Sequence, residues 1–137
     1  MYSYETKIRV RYGETDQMGY VYYGNYAEFY EVARVEMLRN LGLSYKWMEE
    51  TGIMMPVLEL KCKYIKPALY DDLLSIKVSL KEMPKTRIVF NYELFNENNE
   101  LINIGETTLV FVNINTKRPT LGPDEFINKL EPYFINE

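Results

Sequence analysis

The residues best suited to chemistry lie near the start of the chain, in RYGETDQMGYVYYGNY at positions 11–26. This stretch contains two carboxylates, Glu14 and Asp16, together with five tyrosines and the chain breakers Gly13 and Gly19. The chain has no histidine, so proton transfer near neutral pH would fall to Asp, Glu, Tyr, Lys or Cys. A carboxylate can act as a general base or attack a carbonyl carbon directly. The residue types alone therefore allow two interpretations of Asp16, a catalytic carboxylate or an ordinary turn residue.

The composition removes several common catalytic arrangements. Without histidine, neither a Ser-His-Asp triad nor a Cys-His pair is available. The single cysteine, Cys62, excludes an intrachain disulfide and a thiolate zinc site. Its place on the apolar face of a predicted strand indicates a core thiol. The chain also lacks a P-loop and the G-x-G-x-x-G and G-x-S-x-G motifs.

Length and composition are those of one ordinary globular domain, which we expect to span residues 1–137. Hydrophobic residues make up 47% of the chain, which is ample for a core, and the 13 tyrosines are typical of interfaces and ligand clefts. The net charge of -4 argues against nucleic-acid binding, which needs a basic face. No apolar run resembles a signal peptide or reaches the ~20 residues of a membrane helix. We therefore expect a cytoplasmic protein without membrane insertion.

Helical periodicity begins near Asn25 and ends at Gly42. Apolar side chains recur there at three- and four-residue steps on one face, as Tyr26, Phe29, Tyr30, Ala33, Met37 and Leu41. This pattern predicts one long amphipathic helix, and Glu31 and Arg34 are spaced to form an ion pair on one of its turns. A short second helix is predicted from the cap residue Ser44, and a terminal helix within residues 123–134.

Alternating apolar residues predict strands on both sides of the helices. A first strand is expected at residues 5–12, and four more at 57–64, 73–81, 87–95 and 101–114. Each later strand has one apolar face, so we expect an α+β arrangement in which one side of an antiparallel sheet is covered by the long helix.

Three further apolar residues lie off the main apolar faces of these strands, namely Val89, Leu109 and Phe111. They indicate a second buried surface, from which we expect a dimer.

Residues 12–34, YGETDQMGYVYYGNYAEFYEVAR, and PALYDD at 67–72 resemble the single-domain hotdog acyl-CoA thioesterases of the 4-hydroxybenzoyl-CoA thioesterase type. The family pattern has an Asp, a Gly three residues on, a Val two further, and an Asn-Tyr pair that enters the central helix. In this chain those residues are Asp16, Gly19, Val21, Asn25 and Tyr26. The resemblance implies the hotdog fold, an antiparallel β-sheet wrapped around one long central α-helix. It also implies an edge-to-edge homodimer, or a homotetramer of two dimers, with active sites at the dimer interface.

The resemblance further implies hydrolysis of the thioester of an acyl-CoA or acyl carrier protein. No metal and no redox cofactor would be needed, because CoA is part of the substrate. Asp16 would be the catalytic carboxylate, as base or nucleophile, and the backbone N–H of Tyr23 at the helix start would polarise the thioester carbonyl. Many bacterial relatives have histidine where this chain has Tyr23, but another branch has tyrosine. The absence of histidine is therefore compatible with the activity.

Six further residues are predicted to bind substrate: Gly19, Val21, Tyr22, Tyr26, Lys85 and Arg87. Lys85 and Arg87 lie at a turn and would bind the CoA phosphates. The alternative is that both are ordinary exposed charges in contact with solvent. Glu14 is expected to be a solvated loop carboxylate. Three functional interpretations stay open: an acyl-CoA thioesterase, an acyl-ACP thioesterase, and a non-catalytic hotdog protein that binds acyl groups.

Overall fold

The computed structural model describes residues 1–135, so the last two residues of the predicted domain lie outside the described part. Within it the helices and strands follow the chain as β1 (Tyr2–Arg9), α1 (Tyr26–Asn40), α2 (Tyr45–Glu50), β2 (Ile53–Met54), β3 (Val57–Tyr64), β4 (Leu73–Leu80), β5 (Arg87–Phe95), β6 (Leu101–Val110), β7 (Val112–Asn113) and α3 (Asp124–Leu130). Single turns of 3₁₀ helix occur at Tyr12–Glu14, Tyr23–Asn25 and Glu131–Tyr133.

Five of the strands form one antiparallel sheet in the order β1-β4-β5-β6-β3. The inward-facing residues of β4 and β5 alternate as predicted and are fully buried: Leu74, Ile76, Val78, Leu80, Ile88, Phe90, Tyr92 and Leu94. Helix α1 packs on this inner face, against β1 and β4. The predicted antiparallel sheet with one side covered by a long helix is confirmed.

The three predicted helices are present near their predicted limits. Helix α1 has 15 residues, and Gly42 adopts φ +81° just beyond its end, which only glycine does without strain. The Ser44 hydroxyl caps α2 by accepting a hydrogen bond from the Trp47 N–H at 3.0 Å. Helix α3 follows Pro123, within the predicted range.

Two predicted strand limits are wrong. The first strand is Tyr2–Arg9 and not residues 5–12, because the chain turns into a 3₁₀ turn at Tyr12, which is 78% exposed. The last strand does not continue to residue 114. It breaks at Phe111, which packs edge to face on Phe126 of α3, with ring centroids 6.2 Å apart. Beyond the break, β7 pairs with β2 in a separate two-stranded sheet.

Helix α1 approaches the sheet closely because β6 has a glycine opposite it. A Cβ atom at Gly105 would lie 2.2 Å from Cζ of Tyr30 on α1. The Tyr30 ring fills that space and stacks on Tyr92 of β5, with centroids 4.2 Å apart. The Tyr30 hydroxyl donates to Asn103 and lies 3.1 Å from the Cys62 sulfur. Cys62 is thus half-buried against the helix, and not fully enclosed as a core thiol would be.

The predicted Glu31–Arg34 ion pair does not form. The Arg34 side chain is buried and donates hydrogen bonds to the hydroxyls of Tyr45, at 3.0 Å, and Tyr92, at 3.4 Å. It points into the core between α1, α2 and the sheet, whereas Glu31 is exposed. Arg34 therefore ties the second helix to the sheet.

The apolar surface left uncovered lies on β3 and not at the predicted positions. Leu109 and Phe111 are buried inside the core, and Leu109 faces the helix because it pairs with Ile88. Only Val89, 38% exposed, lies on the outer face of the sheet as expected. Strand β3 is an edge strand, and three of its inward residues are 43–52% exposed, namely Leu58, Leu60 and Tyr64.

Candidate active site

Asp16 lies in the loop between β1 and α1, at a tight turn. Its Oδ1 accepts hydrogen bonds from the N–H groups of Met18, at 2.9 Å, and Tyr20, at 3.2 Å. The turn is closed by Gly19, whose N–H donates to the Asp16 carbonyl and whose φ is +79°. Oδ2 of Asp16 takes no hydrogen bond from residues 1–135. One carboxylate oxygen of Asp16 therefore stabilises the turn, and the other is available to react with a substrate.

Glu14 is not the solvated carboxylate that its loop position suggests. It is 7% exposed, and its two carboxylate oxygens accept from the Arg11 backbone N–H, at 2.7 Å, and the Arg11 guanidinium, at 3.2 Å. Its backbone carbonyl accepts from the Tyr22 N–H, at 2.9 Å, and from the Asn25 amide, at 2.8 Å. Glu14 therefore anchors both ends of the segment that carries Asp16.

The start of α1 offers unused hydrogen-bond donors. A 3₁₀ turn, Tyr23–Asn25, leads into the helix, and the N–H groups of Tyr23 and Gly24 have no acceptor among the residues that the structure describes. The first N–H groups of a helix lack intrahelical partners, and the helix dipole adds partial positive charge there. The Tyr23 backbone is held in place by Tyr64, whose hydroxyl donates to the Tyr23 carbonyl at 3.3 Å.

Asp16 and the helix start meet at one cavity of about 320 Å³. Four predicted site residues line it, namely Asp16, Val21, Tyr23 and Tyr26. Six more lining residues were not predicted: Met18, Tyr20, Tyr64, Ile65, Lys66 and Pro67. We call this space the tyrosine cavity, after its four tyrosine walls. Asp16 is the only carboxylate among its lining residues in the described part of the chain.

Four of the unpredicted lining residues, 64–67, lie at the end of β3 and in the segment that leads into the PALYDD motif, which contacts the Asp16 loop. The Ala68 carbonyl accepts a hydrogen bond from the Val21 N–H at 2.8 Å, and Leu69 forms a β-bridge with Tyr20. The turn itself is held by Asp72, whose Oδ2 accepts from the Leu69 N–H at 2.9 Å. The motif was visible in the sequence, but only the folded chain shows that it docks on the Asp16 loop.

The other predicted binding residues lie elsewhere. Gly19 lines a second, open groove, which shares Asp16 with the tyrosine cavity. The Tyr22 ring is 47% exposed and contacts the Tyr23 ring, at 4.7 Å between centroids, without lining the tyrosine cavity. Lys85 and Arg87 are at the far end of the sheet, since Arg87 begins β5 and the cavity lies beyond the other end of that strand. Within one protomer, these two cations do not meet Asp16.

Two of the tyrosines that line the cavity, Tyr26 and Tyr64, are kept in the neutral form. Burial raises the pKa of Tyr26 above its ordinary value, and burial together with the Cys62 thiol raises the pKa of Tyr64. Lys66 donates a hydrogen bond to Glu100 just outside the cavity, which lowers the pKa of that carboxyl group. At neutral pH Tyr26 and Tyr64 can therefore donate hydrogen bonds but cannot act as bases, whereas a carboxylate such as Asp16 can.

Residues 1–135 contain neither a cluster of metal ligands nor a membrane-spanning helix. No set of three His, Cys, Asp or Glu side chains is placed to hold a metal ion. In the same range, no helix has both the length and the apolar character needed to cross a membrane.

Comparison with known proteins places this geometry in one family. A family model described as the thioesterase-like superfamily matches residues 10–130. The chain is 33% identical over 120 residues to the acyl-CoA thioester hydrolase YbgC of Escherichia coli, covering 88% of this chain and 90% of the relative.

Solved structures show the same fold. A DHNA-CoA thioesterase from Staphylococcus aureus superposes with a TM-score of 0.84 at 38% identity, over 99% of this chain and 86% of that one. A mutant 4-hydroxybenzoyl CoA thioesterase complexed with 4-hydroxybenzoyl CoA superposes with a TM-score of 0.82. That match covers 93% of this chain and 97% of the other, and at 22% identity it shows the fold alone. The matched family model and relatives confirm the predicted resemblance: the chain belongs to the thioesterase-like superfamily and is a hotdog-fold thioester hydrolase.

Proposed function

We propose that the protein hydrolyses acyl-CoA to a free acid and CoA, with Asp16 as its catalytic carboxylate. The observation that carries this proposal is the shared cavity, whose walls include the Asp16 carboxylate and Tyr23 at the helix start. One free carboxylate oxygen and unused backbone donors are the two parts that acyl transfer requires.

The mechanism follows from these groups. The Tyr23 N–H would donate to the thioester oxygen and stabilise the negative charge that develops on it. One such donor contributes about 3 kcal/mol to lowering the barrier. Oδ2 of Asp16 would attack the carbonyl carbon, or remove a proton from a water that attacks it. In the first route the C–S bond breaks, the CoA thiolate leaves and the acyl group remains on Asp16 as an anhydride, which water then hydrolyses to the free acid. In the second route the water oxygen forms the new C–O bond and the C–S bond breaks, so the free acid and CoA are released without an acyl-enzyme. The residue geometry is compatible with both.

The tyrosine cavity would hold the acyl group. Its volume of about 320 Å³ equals the liquid volume of roughly ten waters, which suits a substituted aromatic ring or a short chain. Buried Val21 and Tyr26 form its apolar base. The name of the Staphylococcus aureus neighbour includes an aryl-type substrate, DHNA-CoA, which supports aromatic acyl groups as the first class to test.

We infer that the protein works as a homodimer built through β3. That strand exposes eight residues of unpaired edge and the apolar side chains Leu58, Leu60 and Tyr64. Antiparallel pairing about a twofold axis would place the start of one β3 beside the end of the other. Leu58 of one protomer would then approach the cavity of its partner. Edge pairing would also move the partner's Lys85 and Arg87 toward this cavity.

Charge favours such pairing in particular registers. Glu59, Lys61 and Lys63 lie on the outer face of β3. Centring the dyad on Lys61 would place Glu59 opposite Lys63 twice and Lys61 opposite its own copy once, so the two attractive pairs outnumber the one repulsive pair. Leu60→Asp should convert the dimer to a monomer in light-scattering measurements, whereas Lys46→Asp on α2 should not. A dimer of two such dimers would appear in the same experiment as a tetramer.

The cytoplasm is the proposed location, since the free thiol Cys62 suits a reducing compartment.

A panel of thiol-release assays tests the activity. Short, long, branched and aromatic acyl-CoAs would be compared, with an Asp16 variant as the control. An acyl-ACP thioesterase would instead hydrolyse the matched acyl-ACP faster than the acyl-CoA. Acyl-CoA binding measured by calorimetry without any thiol release would mean that the protein is a non-catalytic acyl-binding member of the fold.

A further inference from the structure

A set of polar side chains runs through the core to the tyrosine cavity, and we call Asn103, Tyr30, Cys62 and Tyr64 the core network. It begins at Asn103 of β6, which is fully buried and accepts a hydrogen bond from the Tyr30 hydroxyl of α1. The Asn103 amide also donates to the Cys62 sulfur at 3.3 Å. Burying polar groups costs free energy unless they bond to one another, and apolar side chains could fill the same space without that requirement. Filling the core alone therefore does not account for this network.

The protons of the core network are used in one direction, from Asn103 toward Tyr64. The Tyr30 hydroxyl gives its single proton to the Asn103 amide oxygen, so the Cys62 thiol, 3.1 Å from that hydroxyl, is left to donate to it. Cys62 and Tyr64 are two residues apart on β3, so their side chains lie on the same face of the strand. Burial and the adjacent Cys62 thiol raise the pKa of the Tyr64 hydroxyl. Tyr64 therefore keeps its proton and is a hydrogen-bond donor.

Tyr64 uses that proton at the start of α1. Its hydroxyl donates to the Tyr23 carbonyl at 3.3 Å, and the Tyr26 N–H donates to the same carbonyl from inside the helix. The Tyr64 ring packs edge to face on the Tyr26 ring, with centroids 5.2 Å apart, which restricts the direction of the hydroxyl. In a helical turn the N–H and the carbonyl of one residue point in opposite directions along the axis. Holding the Tyr23 carbonyl therefore directs the Tyr23 N–H toward the open end of the helix.

We propose that Tyr64 is a positioning residue for the thioesterase reaction and that the rest of the core network holds it in place. Tyr64 acts through Tyr23, because it fixes the backbone N–H that stabilises the negative charge on the thioester oxygen. A donor that is already aligned does not have to reorganise when that charge develops. The inference rests on the proposed hydrolysis of acyl-CoA and adds to it the side chains that orient the backbone donor.

Tyr64→Phe tests this role, because it removes the hydroxyl and keeps the ring that lines the tyrosine cavity. We expect kcat for acyl-CoA hydrolysis to fall about tenfold while KM stays nearly the same, since the donor matters most when charge develops on the oxygen. Tyr2→Phe is the matched control, because the Tyr2 hydroxyl accepts a hydrogen bond from Asn40 at the other end of α1. It should lower the melting temperature and leave both kinetic constants unchanged.

A double-mutant cycle tests the connection between Tyr64 and the core. Cys62→Ala should lower kcat about threefold, because Tyr64 then loses the thiol beside its hydroxyl. If Cys62 acts through Tyr64, the variant that carries both substitutions should be no slower than Tyr64→Phe alone. Effects on kcat that multiply in the double variant would overturn this connection.

Nuclear magnetic resonance gives a readout that does not depend on turnover. The chemical shift of the Tyr23 carbonyl carbon reports the hydrogen bonds that the carbonyl accepts, so it should move upfield in Tyr64→Phe and stay constant in Tyr2→Phe. An unchanged kcat in Tyr64→Phe, or an unchanged carbonyl shift, would overturn the proposal. If wild-type protein releases no thiol but the carbonyl shift still changes in Tyr64→Phe, the proposed thioesterase function is rejected and the contact between Tyr64 and Tyr23 is not.

Discussion

The two carboxylate oxygens of Asp16 have different roles, one in the structure of its loop and one in the proposed reaction. Oδ1 holds the turn by accepting two backbone N–H groups, and Oδ2 is left for the substrate. Asparagine at this position keeps an oxygen that can accept the same two hydrogen bonds but removes the negative charge.

Asp16→Asn should therefore lower kcat by about a thousandfold without changing the melting temperature. Asp16→Ala should also lose the turn contacts, which reduces the free energy of unfolding by about 1 kcal/mol. Thiol release and urea unfolding measure the two effects separately. Retained activity in a folded Asp16→Asn protein would exclude the carboxylate mechanism.

Asn25 holds the other half of the site, because its amide bonds to the Glu14 carbonyl and fixes the helix start against the Asp16 loop. Asn25→Ala should lower the free energy of unfolding by about 1 kcal/mol and reduce kcat more than it changes KM. Asn40→Ala is the matched control, since the Asn40 amide donates to the Tyr2 hydroxyl at the other end of α1. It should lower stability without lowering kcat. Equal kinetic effects from both variants would contradict this positioning role.

At the scale of secondary structure, the contact between α1 and β6 depends on the missing side chain of Gly105. A methyl group there would overlap the Tyr30 ring, which is held by its stack on Tyr92 and cannot move aside easily. Gly105→Ala should lower the free energy of unfolding by about 2–3 kcal/mol in urea. Gly13→Ala is the control, because no atom lies within 4 Å of the added carbon. Similar losses for both variants would show that backbone freedom, and not the contact with Tyr30, is responsible.

Most elements were predictable because their signals are local. The alternation in residues 87–95 and the helical stripe from Tyr26 to Leu41 each report one buried face, and the structure confirms both. Glu14 and Arg34 were interpreted incorrectly because a carboxylate or a guanidinium is buried only when distant residues satisfy it. Arg34 donates its hydrogen bonds to Tyr45 and Tyr92, which no spacing along the chain connects to it.

The sequence predicted four of the residues that line the tyrosine cavity and missed the other six. Asp16 and Tyr23 were found through a short contiguous motif, and both line the tyrosine cavity. Tyr64 and Pro67 lie more than forty residues further on and reach the cavity through the turn after β3. A segment that docks from so far along the chain has no local pattern that links it to its partner.

For the whole molecule, the number of buried tyrosines determines how steeply the free energy of unfolding falls at alkaline pH. Burial raises the pKa of Tyr26, Tyr30, Tyr45 and Tyr92 above the ordinary value of 10.0. Below pH 10 these tyrosines are neutral in both folded and unfolded chains. Above that pH the unfolded chain ionises first, so stability is lost as the pH rises toward the folded-state pKa values.

The free energy of unfolding should therefore fall above about pH 10, by up to ~1.4 kcal/mol per pH unit for each buried tyrosine. Urea unfolding between about pH 9 and pH 11 measures the slope. Tyr92→Phe should lower the free energy of unfolding at every pH, because Thr107 and Arg34 lose a hydrogen-bond partner. It should also make the fall of that free energy with pH less steep, because one ionisable tyrosine fewer contributes to it. A stability that stays constant across this range would contradict the prediction.

The two hydrogen bonds on the Glu14 carbonyl turn the segment from Glu14 to Asn25 into a ring of fixed circumference. Both ends of this segment are fixed, so the number of residues in it affects the geometry of the site as much as their types do. Inserting a residue between Asp16 and Gly19 would misplace the carboxylate relative to the helix start. The exposed turn at residues 97–99 is also closed, by hydrogen bonds between Asn96 and Glu100, so an insertion there would disturb that turn without changing the number of residues between Asp16 and the helix start. The length of the Asp16 loop, and not loop length in general, is therefore a constraint on catalysis.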